Sequence, residues 1–123
     1  PANGLTFCAG SLSAGIQNNV VELARIFAKK SFFVHLRSTE IKENGDFMEA
    51  SPLGGRAALI EVIRIFEKEN SAIPMRVDHG KLMLDDVEKE YNPGYSFLGR
   101  MFALAQIDGM MAVIRNEIEK GIC

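Results

Sequence analysis

Three short runs put reactive side chains at the ends of apolar segments. Gly4-Leu-Thr-Phe-Cys8 ends in a thiol, and Ser31-Phe-Phe-Val-His-Leu-Arg37 ends in an imidazole and a guanidinium. Pro74-Met-Arg-Val-Asp-His-Gly80 adds a second guanidinium, a carboxylate and a second imidazole. Cys8, His35 and Asp78 would offer sulfur, nitrogen and oxygen to one divalent cation. That set is borderline soft and accepts Zn, Mn, Fe or Co, and softness alone does not choose among them. Arg37 and Arg76 suit a substrate carboxylate, which guanidinium binds through two parallel hydrogen bonds.

Each of these residues also has a plainer reading. Cys8 can be a small buried hydrophobe, and His35, in an apolar run, a satisfied core histidine. Arg76 and Asp78 can form a local ion pair at a turn, worth about 0.5 kcal/mol if exposed. Tyr95 can simply close the turn after Pro93-Gly94, and Met110-Met111 reads as core packing. What favours chemistry is shared position. Three polar ends follow three successive strands, where parallel α/β sheets and barrels carry their sites.

The elements that must hold these ends are readable from periodicity. Residues 4–8 form a first strand, and Val20, Leu23, Ala24 and Phe27 fall at helical spacing after Asn18 or Asn19 as N-cap. Lys29 and Lys30 suit the negative end of that helix. Residues 31–37 are nearly continuously apolar, as in a parallel strand covered on both faces. Ser38 to about Gly55 reads as a polar loop too long for a simple connector. A helix is expected from Arg56 to about Glu69, with Leu59, Ile63 and Phe66 on one face. Residues 72–75 make a third strand despite Pro74. A short helix is expected over 82–91, a turn at Asn92-Pro-Gly-Tyr95, and a long helix from Phe97 to about Lys120.

The order is β-α-β-loop-α-β-α, which implies parallel strands joined by right-handed crossovers. Eight such units need about 250 residues to close a barrel, so this chain supplies about three or four of them. Either it is a small open α/β domain or it is part of a larger barrel; composition does not separate the two. The formal charge of −2 over 123 residues, with scattered basic residues, leaves no electrostatic footprint for nucleic acid. No uninterrupted apolar run approaches the roughly 20 residues of a membrane span, and the first residues do not read as a signal peptide. With Cys8 and Cys123 alone, a reducing cytoplasm is the expected setting. Pro1 by itself does not indicate truncation, since initiator methionine is often trimmed ahead of proline.

Taken together, "PANGLTFCAGS" at 1–11, "HLRST" at 35–39, "PMRVDHG" at 74–80 and "NPGYSFLGR" at 92–100 resemble the mannonate dehydratase family in wording, order and spacing. "FMEASPLGG" at 47–55 is similar as well. The resemblance covers essentially the whole chain. It implies the C-terminal portion of a (β/α)8 TIM barrel of the xylose-isomerase-like kind, a single partial domain over 1–123 that begins just before about the sixth strand. It further implies that the family's N-terminal strands, with a further histidine metal ligand, have no counterpart in residues 1–123. The implied reaction converts D-mannonate to 2-keto-3-deoxy-D-gluconate and water, in cytoplasmic hexuronate breakdown, with Mn²⁺ or Fe²⁺ as cofactor and a homo-oligomeric enzyme. Position by position, Cys8, His35 and Asp78 match the metal motifs, His79 and Tyr95 the proton-transfer positions, and Arg37 and Arg76 the substrate contacts.

One departure lies inside a motif: Val77 stands where the family usually has proline. It keeps the extended backbone and restores an N–H. The chain alone is expected to be inactive, with weak or absent metal affinity. Two other readings are a non-catalytic α/β fragment stabilised by oligomerisation, and a related metal-dependent sugar isomerase on the same barrel.

Overall fold

The computed structural model of the chain describes residues 3–122. Pro1, Ala2 and Cys123 therefore lie outside the described residues, and with them the start of the first motif and the second cysteine. Three parallel strands, β1 (Leu5–Cys8), β2 (Ser31–His35) and β5 (Met75–Arg76), form one sheet in the order β1-β2-β5. Register decides where the chemistry goes. Cys8 pairs with His35, and His35 pairs with Arg76, so the three strands finish level with one another. The amide of Leu36 still donates to the Arg76 carbonyl at 2.9 Å, which carries the alignment one residue beyond β2.

Helices α2 (Val20–Phe27), α3 (Leu59–Glu69) and α4 (Phe97–Glu119) follow the expected apolar spacing. Asn19 caps α2 by accepting the Glu22 amide at 3.1 Å. That bond satisfies a donor left free in the first helical turn. Leu59, Ile63 and Phe66 of α3 face the sheet, and Phe66 meets Phe7 of β1 with ring centroids 5.2 Å apart. Ile107, Met110 and Ile114 of α4 join the same core. Two ion pairs brace α4 on α3. Arg64 reaches Glu117 at 2.9 Å, and Arg115 holds the buried Glu67 carboxylate through two bonds of 2.7 and 3.0 Å.

By length and composition α4 is apolar enough to cross a membrane, with a mean hydropathy of 1.4 over its most apolar stretch. Its contacts are nevertheless those of a layer helix packed on α3, with Phe97, Met101, Phe102, Leu104 and Val113 left exposed.

Four expectations need correction. The segment 38–55 is not a loop. It contains an antiparallel hairpin of β3 (Ser38–Ile41) and β4 (Phe47–Ala50), with Ser38 opposite Ala50 and Ile41 opposite Phe47. Its turn closes where Lys42 donates to the Asp46 carbonyl at 2.7 Å and Gly45 takes φ +89°. The helix expected from Arg56 begins at Leu59, because the hairpin claims the preceding amides. Arg56 N–H bonds the Thr39 carbonyl at 2.9 Å, and Ala57 N–H bonds Ser38 Oγ at 3.2 Å. The helix expected over 82–91 is a single 3-10 turn at Leu84–Glu88, since Leu84 adopts a left-handed φ of +49° that no α-helix accommodates. Finally, β2 is not covered on both faces: Val34 is fully buried but Phe32 is 62% exposed.

After β5 the chain passes Asp78 and His79 and then runs against the start of α4. Gly80 allows this approach, because a Cβ there would sit 2.3 Å from the Gly99 backbone. A short helix, α1 (Ala9–Ser13), follows β1 and is tied to the hairpin by a 2.8 Å bond between Ser13 and Thr39 hydroxyls.

Asp86 anchors the other side of the α4 start. Its fully buried carboxylate accepts the amides of Gly99 at 2.8 Å and Leu98 at 3.2 Å. Burial pushes this carboxyl up, but those two N–H bonds, together with Ser96 and the charge of Lys89, hold it below the usual aspartate range. A depressed folded value means that the contribution to stability is complete above the unfolded value, about 3.9, and is lost as pH falls through the folded one. Asp86→Asn should therefore be less stable than the parent in urea denaturation at neutral pH. The difference should shrink steadily once pH drops below about 3.9.

Candidate metal centre and the residues around it

The levelled strand ends bring Cys8 beside His35, and the two residues that follow Arg76 bring Asp78 to them. One potential ligand atom from each lies within 4.8 Å of the others, among the described residues. Cys8 closes β1 and caps α1, with its sulfur accepting the Ser11 amide at 3.4 Å and the Ser11 hydroxyl at 3.2 Å. Its Sγ lies 3.9 Å from Asp78 Oδ2. His35 Nδ1 stands 3.6 Å from Asp78 Oδ1, and the His35 ring is met edge-on by Phe33 with centroids 5.0 Å apart. Asp78 is the most enclosed of the three, 7% exposed, and Arg76 Nη2 donates to its Oδ1 at 3.0 Å.

The donor set fits a divalent cation. Ligand bonds of about 2.0–2.3 Å place neighbouring donors close to the spacings seen here, so only small side-chain rotations would close three of them on one ion. Three protein ligands leave further positions open for water or a substrate, as catalytic metal sites do.

Around this centre the other expected residues fall into two groups. Arg76 is 45% exposed at its side chain; its Nη2 donates to Asp78 and its Nε to the Val77 carbonyl at 3.3 Å, so two of its three nitrogens are engaged. Arg37 is enclosed, and its fork is taken by Glu49: Nε donates to Oε2 at 2.9 Å and Nη2 to Oε1 at 2.6 Å. Burial pulls the Arg37 guanidinium down. The hydrogen bonds and charge of Glu49, with smaller help from Cys8 and Asp78, more than offset that, so it sits above its ordinary value. In this arrangement Arg37 stands beside the site with its fork turned to the hairpin.

His79 occupies the centre of the second group. Its Nδ1 is 2.8 Å from Glu49 Oε1 and its Nε2 is 3.7 Å from Asp78 Oδ2. The Tyr95 ring packs on it with centroids 4.6 Å apart, and the Arg100 guanidinium lies over that tyrosine ring at 5.7 Å. Gly94 is required here: it takes φ +81°, and a Cβ would come 2.3 Å from His79 Nδ1. An open hollow of about 480 Å³ adjoins the group, lined by Arg37, Glu49, His79, Lys81 and Gly94 among others. A second hollow, about 470 Å³ and mostly apolar, lies between α3 and α4, away from these polar groups.

Glu49 is the residue that sequence reasoning missed. It lay inside a segment read as loop, 30 residues before His79. The signal was present in Asn44-Gly45, a dipeptide typical of hairpin turns, which predicts β3 and β4 folding back toward the strand ends.

With this geometry in place, the comparisons with known proteins are specific. The family model described as D-mannonate dehydratase (UxuA) matches residues 1–120. Mannonate dehydratase of Marinomonas sp. is 44% identical over 96% of this chain and 33% of its own length. Mannonate dehydratase 2 of Agrobacterium fabrum is 38% identical over 98% of this chain and 32% of its own. The crystal structure of mannonate dehydratase from Streptococcus suis serotype 2 superposes with a TM-score of 0.82 at 22% identity, over 94% of this chain and 34% of that one, which establishes likeness of fold. The chain thus spans about a third of the length of the curated relatives it matches. The resemblance carried by the four motifs is borne out, and the chain belongs to the D-mannonate dehydratase family.

Proposed function

We propose that this chain contributes part of the catalytic centre of a D-mannonate dehydratase, a hydro-lyase that forms 2-keto-3-deoxy-D-gluconate and water in hexuronate breakdown in the cytoplasm. The observation that carries the reading is the convergence of Cys8 and His35, at level strand ends, with Asp78, just beyond β5, within 4.8 Å of one another. In this reading residues 1–123 are a single partial domain, the C-terminal portion of a (β/α)8 barrel. The outer sides of β1 and β5 are edges where further strands would pair. The exposed apolar residues of α4 suit cover by the rest of the barrel or by subunits of a homo-oligomer.

The reaction removes a proton from C2, next to the carboxylate, and hydroxide from C3. The C2–H bond breaks, its electron pair forms the C2–C3 double bond, and the departing hydroxide takes a proton to leave as water. The resulting enol then loses the proton of its C2 hydroxyl and gains one at C3 to give the ketone. Cys8, His35 and Asp78 would hold Mn²⁺ or Fe²⁺, which supplies positive charge against the negative charge that develops beside the substrate carboxylate. Arg76, with part of its guanidinium free, binds the carboxylate. His79 moves a proton at Nε2, the ring nitrogen on the Asp78 side, and the Tyr95 phenol on its flank is the second proton-transfer group. Each such transfer is worth roughly 10²–10⁴-fold in rate.

The activity is assigned to the complete barrel. The purified 123-residue chain should show no detectable dehydration of D-mannonate, and turnover by it alone would contradict the assignment. Exchanging the matching third of the Marinomonas relative for this chain should yield an enzyme that forms the keto-deoxy acid in a metal-dependent manner. A folded chimera that binds metal but leaves mannonate unchanged would rule out the proposed reaction.

A further inference from the structure

We propose that Glu49 is a positioning residue that fixes the tautomer of His79, presenting Nε2 as the proton-exchanging atom. Its functional meaning rests on the dehydration reading above, whereas the geometry stands without it. A carboxylate accepts hydrogen bonds and does not donate them. With Glu49 Oε1 2.8 Å from Nδ1, the hydrogen of the neutral ring resides on Nδ1, and Nε2 carries the lone pair. Nε2 is the nitrogen facing Asp78 Oδ2, at 3.7 Å.

The carboxylate that sets this choice is itself clamped. Both of its oxygens accept from Arg37, at 2.6 and 2.9 Å, and the side chains of Arg37, Glu49 and His79 are all at least 83% enclosed, being 11, 17 and 17% exposed. The ring is closely packed. Tyr95 lies 4.6 Å away, centroid to centroid, and the Gly94 backbone leaves no room for a Cβ against Nδ1. The hairpin therefore has a task beyond covering the sheet: it delivers Glu49 to the far nitrogen of a histidine whose near nitrogen faces the metal-ligand set. On this account Arg37 orients Glu49 and so acts on His79 through it.

The chain holds two histidines, so imidazole nitrogen spectra are simple to read. Long-range ¹H–¹⁵N correlation on the histidine-labelled 123-residue chain, at a pH where the rings are neutral, should show His79 protonated at Nδ1. A His79→Gln sample assigns the signals. Glu49→Ala should shift the ratio of Nδ1–H to Nε2–H forms by about tenfold toward Nε2–H, the change expected from losing a hydrogen bond to a charged acceptor. The parent spectrum alone can overturn the proposal, by showing His79 protonated at Nε2, whether or not the variant folds. An unchanged tautomer ratio in a folded Glu49→Ala chain overturns it equally. Neither measurement requires metal or sugar acid, so failure here is distinct from failure of the dehydration reading, which the chimera decides.

Discussion

Asp78→Ala should lower divalent-metal affinity of the completed barrel by about 100-fold or more, at least the size that loss of a supporting group beyond the ligands produces. Asp78 is the one anionic oxygen donor of the convergent set, and the most enclosed member. Removing it leaves a thiol and an imidazole, with Arg76 no longer neutralised by its 3.0 Å partner, so a cation would meet an uncompensated guanidinium. Stability should change far less, because Arg76 is partly exposed and can turn to solvent. Calorimetric titration of the chimera with Mn²⁺, beside thermal melts of parent and variant, separates the two effects. Affinity within tenfold of the parent would remove Asp78 from the ligand set.

The second large effect is expected at His79. In the chimera, His79→Gln should reduce kcat by roughly 10²–10⁴-fold, the contribution of a positioned proton-transfer group, with little change in KM. The split follows from placement. Substrate attraction is assigned to Arg76 and the metal, whereas His79 is wedged between Glu49, Tyr95 and Gly94 with one nitrogen directed at the Asp78 side. A group that acts on the transition state and not on binding lowers kcat and kcat/KM together. Steady-state kinetics on D-mannonate would check this. A loss confined to KM would make His79 a binding residue.

Much of the frame was legible because its signals are local. Val20, Leu23, Ala24 and Phe27 lie at helical spacing, and Asn19 caps them as its type predicts. The long helix was placed to within a residue at each end, since the Asn92–Tyr95 turn and an unbroken helical pattern bound it. Elements whose boundaries depend on distant partners were not readable in this way. The start of α3 moved because Thr39 and Ser38 take the amides of Arg56 and Ala57. The 82–91 segment failed as a helix because Leu84 is left-handed and Asp86 is committed to the amides of α4. The hairpin escaped because Ser38-Thr-Glu-Ile41 has too few apolar residues to read as a strand, although Asn44-Gly45 marked its turn.

The site divides along the same line. Cys8 and His35 were singled out as strand ends that parallel register brings level, and Asp78 follows two residues after Arg76, the residue paired with His35. Arg37 was legible as a cation near the site. Its bidentate partner was not, because Glu49 reaches it only through the hairpin, and the same fold delivers Glu49 to His79. A residue's type can announce a ligand, whereas a positioning role appears only when the chain has folded back on itself.

Paramagnetic broadening of the ¹⁵N-labelled 123-residue chain by Mn²⁺ tests the metal centre most directly, since it detects binding too weak for calorimetry. The account predicts weak binding, with broadening centred on the signals of Cys8, His35 and Asp78 and abolished there in Asp78→Ala. Broadening centred instead on the acidic stretch around Asp85, Glu88 and Glu90, or broadening at His35 that survives Asp78→Ala, would contradict it.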